Sequence, residues 1–418
     1  MLRFLTSGES HGPMLVAILD GIPAGLPLNI DEINEEMGRR QQGYGRGARQ
    51  KIEQDKAEIT GGVRHGITSG APLGITVTNR DWDNWQHVMS VLDVDRLQPE
   101  VKEQLAKKAI ARFRPGHADL AGTLKFRQRD IRDVLERASA RETAARVAVG
   151  AICHQLLKEL GIRSVAHVIA VGAVSGKDGS AYQDLDELEK AVLGSEMFCA
   201  DAQAGEKMKE TIKSAWQNGD SLGGLVEVVC DGLPVGLGSY TQWDEKLDGQ
   251  LAQAVMSVQA IKAVEIGDGV ANSRQPGSAV HDALYPAEPN GTLPFSRKTN
   301  RAGGIEGGMT NGSRLVVRAY MKPIPTLRKG LPSLSFPGYQ AEVAHYERSD
   351  VCAVPAASIV VKAMVSFVLA RSLLQKFGGD TLQDTKSALE RYRQDCARQG
   401  RTLEAVAATS AAPEMELE

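Results

Sequence analysis

The chain has 418 residues, of which 42% are hydrophobic and 24% charged, with a formal net charge of −3. These proportions are those of a soluble globular protein, and the near-neutral balance excludes the global basic field of a nucleic-acid binder. Five cysteines (Cys153, Cys199, Cys230, Cys352, Cys396) are odd in number and never form a Cys-x-x-Cys pair, which excludes a disulfide framework or a zinc ribbon and fits a reducing, cytoplasmic setting.

At the N-terminus, Met1–Thr6 carries neither an apolar signal region nor a cleavage site. Residues 2–30 alternate apolar and small side chains, with turns at Gly8–Pro13 and Gly21–Gly25, and predict a hairpin with the Gly8-Glu9-Ser10-His11-Gly12 loop at one end. A short helix follows over Asp31–Arg40, with Asp31 as its cap. Next comes a basic, glycine-rich loop carrying Arg39, Arg40, Arg46, Arg49 and Lys51. Strand-like alternation returns over 57–79. Val101, Leu105, Ala109 and Phe113 fall four apart and predict a helix ending before Arg114-Pro115.

A second helix is expected over Ala138–Leu160, closed by Gly161, with small residues in its first half that allow another backbone to pack closely. Strand-like runs occupy Val165–Val174, Gly223–Val229 and Arg314–Met321. Val354–Phe377 is long and apolar, but Lys362 and Arg371 interrupt it. With Pro355 at its start and Gly378-Gly379 as a stop, it reads as a buried helix rather than a membrane span. Strands and helices do not alternate regularly, so a doubly wound parallel sheet is not expected. The pattern predicts an α+β fold, with buried helices covered by antiparallel sheets. No linker or repeat divides residues 1–390, and the tail over 400–418 has the composition of a disordered segment.

Chemistry gathers in a few places. Arg114-Pro115-Gly116-His117-Ala118-Asp119 answers the Ser10-His11 loop, and each motif sets a histidine beside arginines that have too few acidic neighbours in sequence to neutralise them. Two imidazoles and several guanidiniums suit a site that grips a polyanion and moves protons. Ser139-Ala140-Arg141 and Arg348-Ser349-Asp350 repeat the pattern. Asn300–Gly312 holds two Gly-Gly pairs; it is either a set of hairpin turns or a bare backbone lying against a flat ring or a phosphate. Lys322-Pro323-Ile324-Pro325-Thr326 sets a cation and a hydroxyl on a stiff backbone.

Four motifs, Gly8–Gly12 with Asp20–Pro23, Arg114–Asp119, Glu136–Thr143 and Arg348–Asp350, together resemble the chorismate synthase family over roughly residues 1–380. The resemblance implies a layer of long helices sandwiched between antiparallel sheets in a homotetramer. It implies a lyase of the shikimate pathway that eliminates phosphate from 5-enolpyruvylshikimate 3-phosphate to give chorismate, using reduced FMN without net redox change. NADPH, through the enzyme itself or an external flavin reductase, would supply the electrons. On the same basis His11, His117 and Asp350 are the expected catalytic groups. Ser10, Arg40, Arg46, Arg49, Arg114, Ser139, Arg141 and Arg348 would bind substrate. Ser139, Ala140, Arg141, Gln259, Ala260, Gly308, Lys322, Thr326 and Arg348 would meet the cofactor. Neither a metal, a nucleic acid nor a membrane is implied. Two other classes of function fit parts of the sequence: an anion- or RNA-binding protein, which leaves the histidines and Asp350 unexplained, and a flavin oxidoreductase, for which no nicotinamide fingerprint is seen.

Overall fold

A computed structural model describes residues 1–46, 55–287, 293–344, 346 and 350–398. The expected hairpin is formed by β1 (Arg3–Ser7) and β2 (Met14–Asp20), paired from Arg3↔Asp20 to Ser7↔Val16, with Ser10 and His11 in the connecting loop. With β3 (Ala57–Gly61) and β4 (Leu73–Thr78) it makes an antiparallel sheet in the order β1-β2-β4-β3. The second sheet contains β5 (Arg163–Val171), β6 (Gly224–Asp231), β7 (Ile261–Ile266) and β8 (Leu315–Met321). Its order is β7-β8-β6-β5, with the two-residue strand Val174–Ser175 at the edge, and every pairing is antiparallel.

Helix α1 spans Ile30–Gln41, and its cap is Asn29 rather than Asp31. The Asn29 side chain accepts from the backbone N–H groups of Asp31 and Glu32 at 3.0 and 3.3 Å, so Asp31 lies inside the first turn, where its charge suits the helix dipole. Helix α2 (Pro99–Lys108) stops earlier than the four-residue spacing suggested. Ala109 is already extended, and Phe113, just before Arg114-Pro115, donates its N–H to Leu334. Ile110 and Phe113 join Ile131, Leu135 and Phe336 in a small satellite core, so the apolar stripe continued beyond the helix in another conformation.

Helices α3 (Asp119–Phe126) and α4 (Arg132–Ala138) precede α5 (Thr143–Glu159). The expected single helix over Ala138–Leu160 is thus interrupted. Ser139 takes extended backbone angles and caps a short 3-10 turn over Ala140–Glu142, its hydroxyl accepting from Arg141 N–H at 3.3 Å. Helices α6 (Leu185–Leu193) and α7 (Ala202–Gln217) lie between β5 and β6, and α8 (Leu247–Met256) precedes β7.

Val354–Phe377 is one helix, α9, buried in the fold as expected, and α10 (Leu382–Arg398) follows. The small residues of α5 let α9 come close: a Cβ on Gly150 would stand 2.3 Å from the Ala363 Cβ and 2.4 Å from its Cα. Lys362, at mid-helix, reaches Glu36 of α1 at 3.0 Å. Burial pushes the Glu36 carboxyl up, but Lys362 and Arg39 outweigh it and hold it down at about 2. The same surroundings, burial first and Lys362 next, lower His154 to about 3 and keep it neutral. One continuous apolar core runs from Leu2 of the first sheet through α5 and α9 to Leu389.

Candidate active site

The junctions between these elements converge on a cavity of about 630 Å³. It is reached by the β1–β2 loop, the loop before α3, the 3-10 turn before α5, the ends of β7 and β8, and the start of α9.

The Ser10-His11 loop is held from α4. Arg137 donates to the carbonyls of Gly8 and Thr6 at 2.9 and 3.0 Å, and Ser10 N–H donates to Glu136 O at 3.0 Å. His11 Nδ1 lies 2.7 and 2.9 Å from the two Glu136 carboxylate oxygens, and the same carboxylate takes the His11 backbone N–H and Arg132. Burial raises the Glu136 carboxyl, but His11 and Arg132 bring it below its ordinary value. A carboxylate only accepts, so the His11 proton resides on Nδ1 and Nε2 is the nitrogen that can act on a ligand.

His117 is fixed in the same manner. Its Nδ1 is 2.5 Å from Asp119, a fully buried residue that also accepts from Arg114 Nε at 2.9 Å. Burial opposes ionisation of Asp119, yet His117 and Arg114 hold it at about 2. Nδ1 therefore donates to Asp119, and His117 also turns Nε2 to any ligand.

The arginines are less bare than the sequence implied. Asp55 binds Arg40 at 2.6 Å and Arg141 at 2.8 Å, and Arg141 also donates to Asn79 and to Ser10 O. Arg46 meets Asp350 at 2.6 Å, and Arg114 meets Asp119. Each described site arginine thus has a carboxylate partner, which for Arg114 comes from its own motif and for Arg40, Arg46 and Arg141 from elsewhere in the chain. Among the described lining residues, however, Arg40, Arg46, Arg114, Arg141 and Lys322 face a single carboxylate, Asp350; Asp55, Asp119 and Glu136 stand behind the wall. Buried carboxylates in a second layer hold guanidiniums rigidly without cancelling the positive character of the surface.

Opposite lie Val258, Gln259, Ala260, Lys322, Ile324, Pro325 and Thr326. Ala260 has a φ of +67°, and its carbonyl accepts from Lys322 N–H at 2.9 Å, which ties the turn to the end of β8. The Gln259 amide nitrogen donates to Glu142 at 3.1 Å, while Gln259 Oε1 is buried with no partner among the described residues. Lys322 Nζ donates to Gly116 O, and burial together with Lys262 lowers its pKa. Leu135, Ala138, Ala353, Ala356, Ala357 and Val360 supply an apolar wall. An orphaned acceptor, a cation and a hydroxyl beside that wall fit a flat, polar-edged ring bearing an anionic group.

The structure therefore brings together Ser10, His11, Arg40, Arg46, Arg114, His117, Ser139, Ala140, Arg141, Gln259, Ala260, Lys322, Thr326 and Asp350. Arg49 and Arg348 lie outside the described residues. Gly308 is not among the lining residues. Ile305–Glu306 and Met309–Thr310 pair as a hairpin around Gly307-Gly308, and the Gly308 carbonyl accepts from Leu247 N–H at 2.9 Å. Sequence reasoning missed Asp55 and Asn79, which no motif marks. It quoted Asp119 and Glu136 without giving them roles, although pairing each site histidine with the carboxylate of its own motif or the next would have found them.

A chorismate synthase family model matches residues 2–374. The chorismate synthase of Moorella thermoacetica is 52% identical over 394 residues, covering 94% of this chain and 99% of that one. The Geobacillus thermodenitrificans chorismate synthase is 50% identical over 392 residues, covering 94% and 98%. A crystal structure of chorismate synthase superimposes with a TM-score of 0.74 at 40% identity, covering 95% of this chain and 98% of that chain. Histidines backed by carboxylates, a cationic wall and this agreement over nearly the full length lead to one conclusion: the chain belongs to the chorismate synthase family and is a lyase of aromatic amino-acid biosynthesis.

Proposed function

We propose that the cavity binds 5-enolpyruvylshikimate 3-phosphate against reduced FMN and eliminates phosphate from C3 with loss of hydrogen from C6. The observation that carries this reading is the asymmetry of the cavity wall, where among the described residues five cations face one carboxylate. A substrate with one phosphate and two carboxylates needs such a surface, and fixed charges cost no reorganisation as the leaving group departs. Reduced FMN, held by the residues named below, would lend electron density to the departure of phosphate without being consumed. Arg40, Arg46, Arg114 and Arg141, with Arg49 and Arg348 beyond the described residues, hold the substrate anions together with Ser10 and Ser139. His11, as imidazolium, stabilises the departing phosphate through Nε2. His117 serves the N1 edge of the flavin, and Asp350 governs the proton at N5. Gln259, Ala260, Ser139, Ala140, Arg141, Lys322 and Thr326 hold the cofactor.

In the same reading the helices form a layer between the two sheets. Contacts of α5 with β2 and β4, and of α9 with β5 and β6, support this. The large continuous core, with only a small satellite cluster beside it, supports one catalytic domain over 1–390. The protein is read as a cytoplasmic homotetramer whose flavin is reduced by NADPH, by its own activity or through an external reductase. On the outer face of the first sheet Leu5 and Ile18 sit opposite one another at 76% and 50% exposure, an apolar pair that a second subunit would cover.

An anaerobic titration of reduced FMN in the presence of substrate tests the cofactor site. Lys322→Ala should weaken FMN binding by at least about tenfold, the scale of a charged hydrogen bond. Equal FMN affinity in the wild-type chain and in folded Lys322→Ala and Gln259→Ala variants would move the cofactor elsewhere.

A further inference from the structure

His11 is gripped by more than Glu136. Its ring is stacked on the indole of Trp85, with centroids 3.7 Å apart and planes 19° from parallel. Lys108 Nζ stands 3.5 Å from the same indole, a distance that leaves the imidazole and the ammonium on opposite faces. The indole is locked at its edge as well, since Nε1 donates to Asp81 at 2.9 Å. The segment carrying Trp85 is tied to the loop carrying His11, because Asn79 Nδ2 donates to Gly12 O at 2.9 Å. Trp85 itself is buried.

We propose that Trp85 is a positioning residue for the elimination: its π face holds the His11 ring flat and favours its imidazolium form at the leaving phosphate. This rests on the role given above to His11. The physical cause is the negative face of the indole quadrupole, which attracts a cation and does so most strongly where water is excluded. Among the described residues, the other charged groups near His11 are Glu136 and Arg132 of α4, which form one hydrogen-bonded set with Nδ1, and Arg141, bound to the carbonyl of the preceding residue, Ser10. Lys108 and Asp81 act on the indole, and so does Arg132, whose guanidinium carbon lies 5.1 Å from the ring centroid. Glu136 fixes the edge of the imidazole, and only Trp85 supplies a stacking partner for its face among the described residues.

The test compares Trp85→Phe and Trp85→Leu in the full chain. Both replacements keep an apolar cover over His11; Phe keeps a π face and Leu does not. The His11 titration is read by NMR on histidine-labelled protein without cofactor, its signal assigned by its loss in His11→Ala, beside the pH profile of anaerobic phosphate release. The His11 midpoint should fall in the Leu variant, with Phe between Leu and wild type. At neutral pH kcat should drop about threefold or more in the Leu variant with KM unchanged, as expected for losing a cation–π contact. An unchanged midpoint in a folded Leu variant, or the same change in Phe and Leu, overturns the proposal. Should the Leu variant not fold, the Phe variant alone decides: a midpoint below wild type supports the stack, and an unchanged one refutes it. A midpoint that moves while the kcat profile stays fixed upholds the hold of Trp85 on His11 and removes instead the role assigned to a protonated His11.

Discussion

Asp55 joins two arginines of the site with its two oxygens, at 2.6 and 2.8 Å, so two cavity-lining guanidiniums are placed by a residue that does not itself line the cavity. Arg141→Ala leaves Asp55 still paired with Arg40, and its main cost is borne by the substrate anion left without a partner. We predict a loss in kcat/KM equivalent to about 2–5 kcal/mol, with partial recovery in Arg141→Lys, because an ammonium cannot reproduce a guanidinium that serves Asp55, Asn79 and Ser10 at once. Steady-state kinetics of the two variants decide this, and an unaffected alanine variant would contradict it. Asp350 gives a second case. It pairs with Arg46 at 2.6 Å. Asp350→Asn keeps size and hydrogen bonding but cannot cycle a proton, so kcat should fall at least ~10-fold while FMN binding persists. Loss of FMN binding instead would assign Asp350 to structure. Most of these residues were legible as chemistry in the sequence, because histidines and arginines set beside glycine form local motifs. Asp55 was not legible, since its partners lie 15 and 86 positions away and only the fold brings them within reach.

At the scale of elements, α5 and α9 pack against one another at close range. A Cβ on Gly150 would meet the Cα, Cβ and O atoms of Ala363 at 2.3–2.6 Å, and backbone on a buried helix cannot step aside cheaply. Gly150→Ala should therefore destabilise the fold by about 1–3 kcal/mol, against the usual gain from placing alanine in a helix. Urea unfolding gives the sign directly: a raised midpoint would show that the helices have room to spare. The small-residue half of α5 was readable as a close-packing face because composition reports it. The break at Ser139 was not, since an alanine-rich stretch scores as helix on both sides. Tertiary demand, here the placing of Ser139 and Arg141 on the cavity wall, overrides that propensity. The end of α2 escaped for a related reason: an apolar stripe shows that residues are buried, whether in a helix or in the extended run toward the satellite core.

The whole molecule carries its charge pairs into its acid stability. Glu36 and Asp119 titrate at about 2 in the folded chain, against ordinary carboxylate values near 4 when unfolded. A carboxyl lowered by folding stabilises fully above its unfolded pKa, and that contribution is lost as pH falls through the folded one. Stability measured by urea midpoints should accordingly fall as pH drops from about 4 toward 2. The decline should be shallower in Glu36→Gln if that variant folds, and equal slopes would dismiss the Glu36–Lys362 pair as a source of acid sensitivity. Light scattering should give about four times the 44.9 kDa chain mass, and a fully active monomer would refute the proposed assembly. The architecture was readable in outline, since irregular alternation of strands and helices excluded a parallel sheet; the order of strands within each sheet was not, because pairing partners are set by long-range packing. The central claim is that phosphate is eliminated with the help of a cofactor that is not consumed. The most direct measurement is anaerobic phosphate release from 5-enolpyruvylshikimate 3-phosphate with photoreduced FMN, the flavin spectrum being followed throughout. The account predicts many turnovers with the flavin still reduced, whereas release at the same rate with oxidised FMN, or one flavin oxidised per phosphate released, would contradict it.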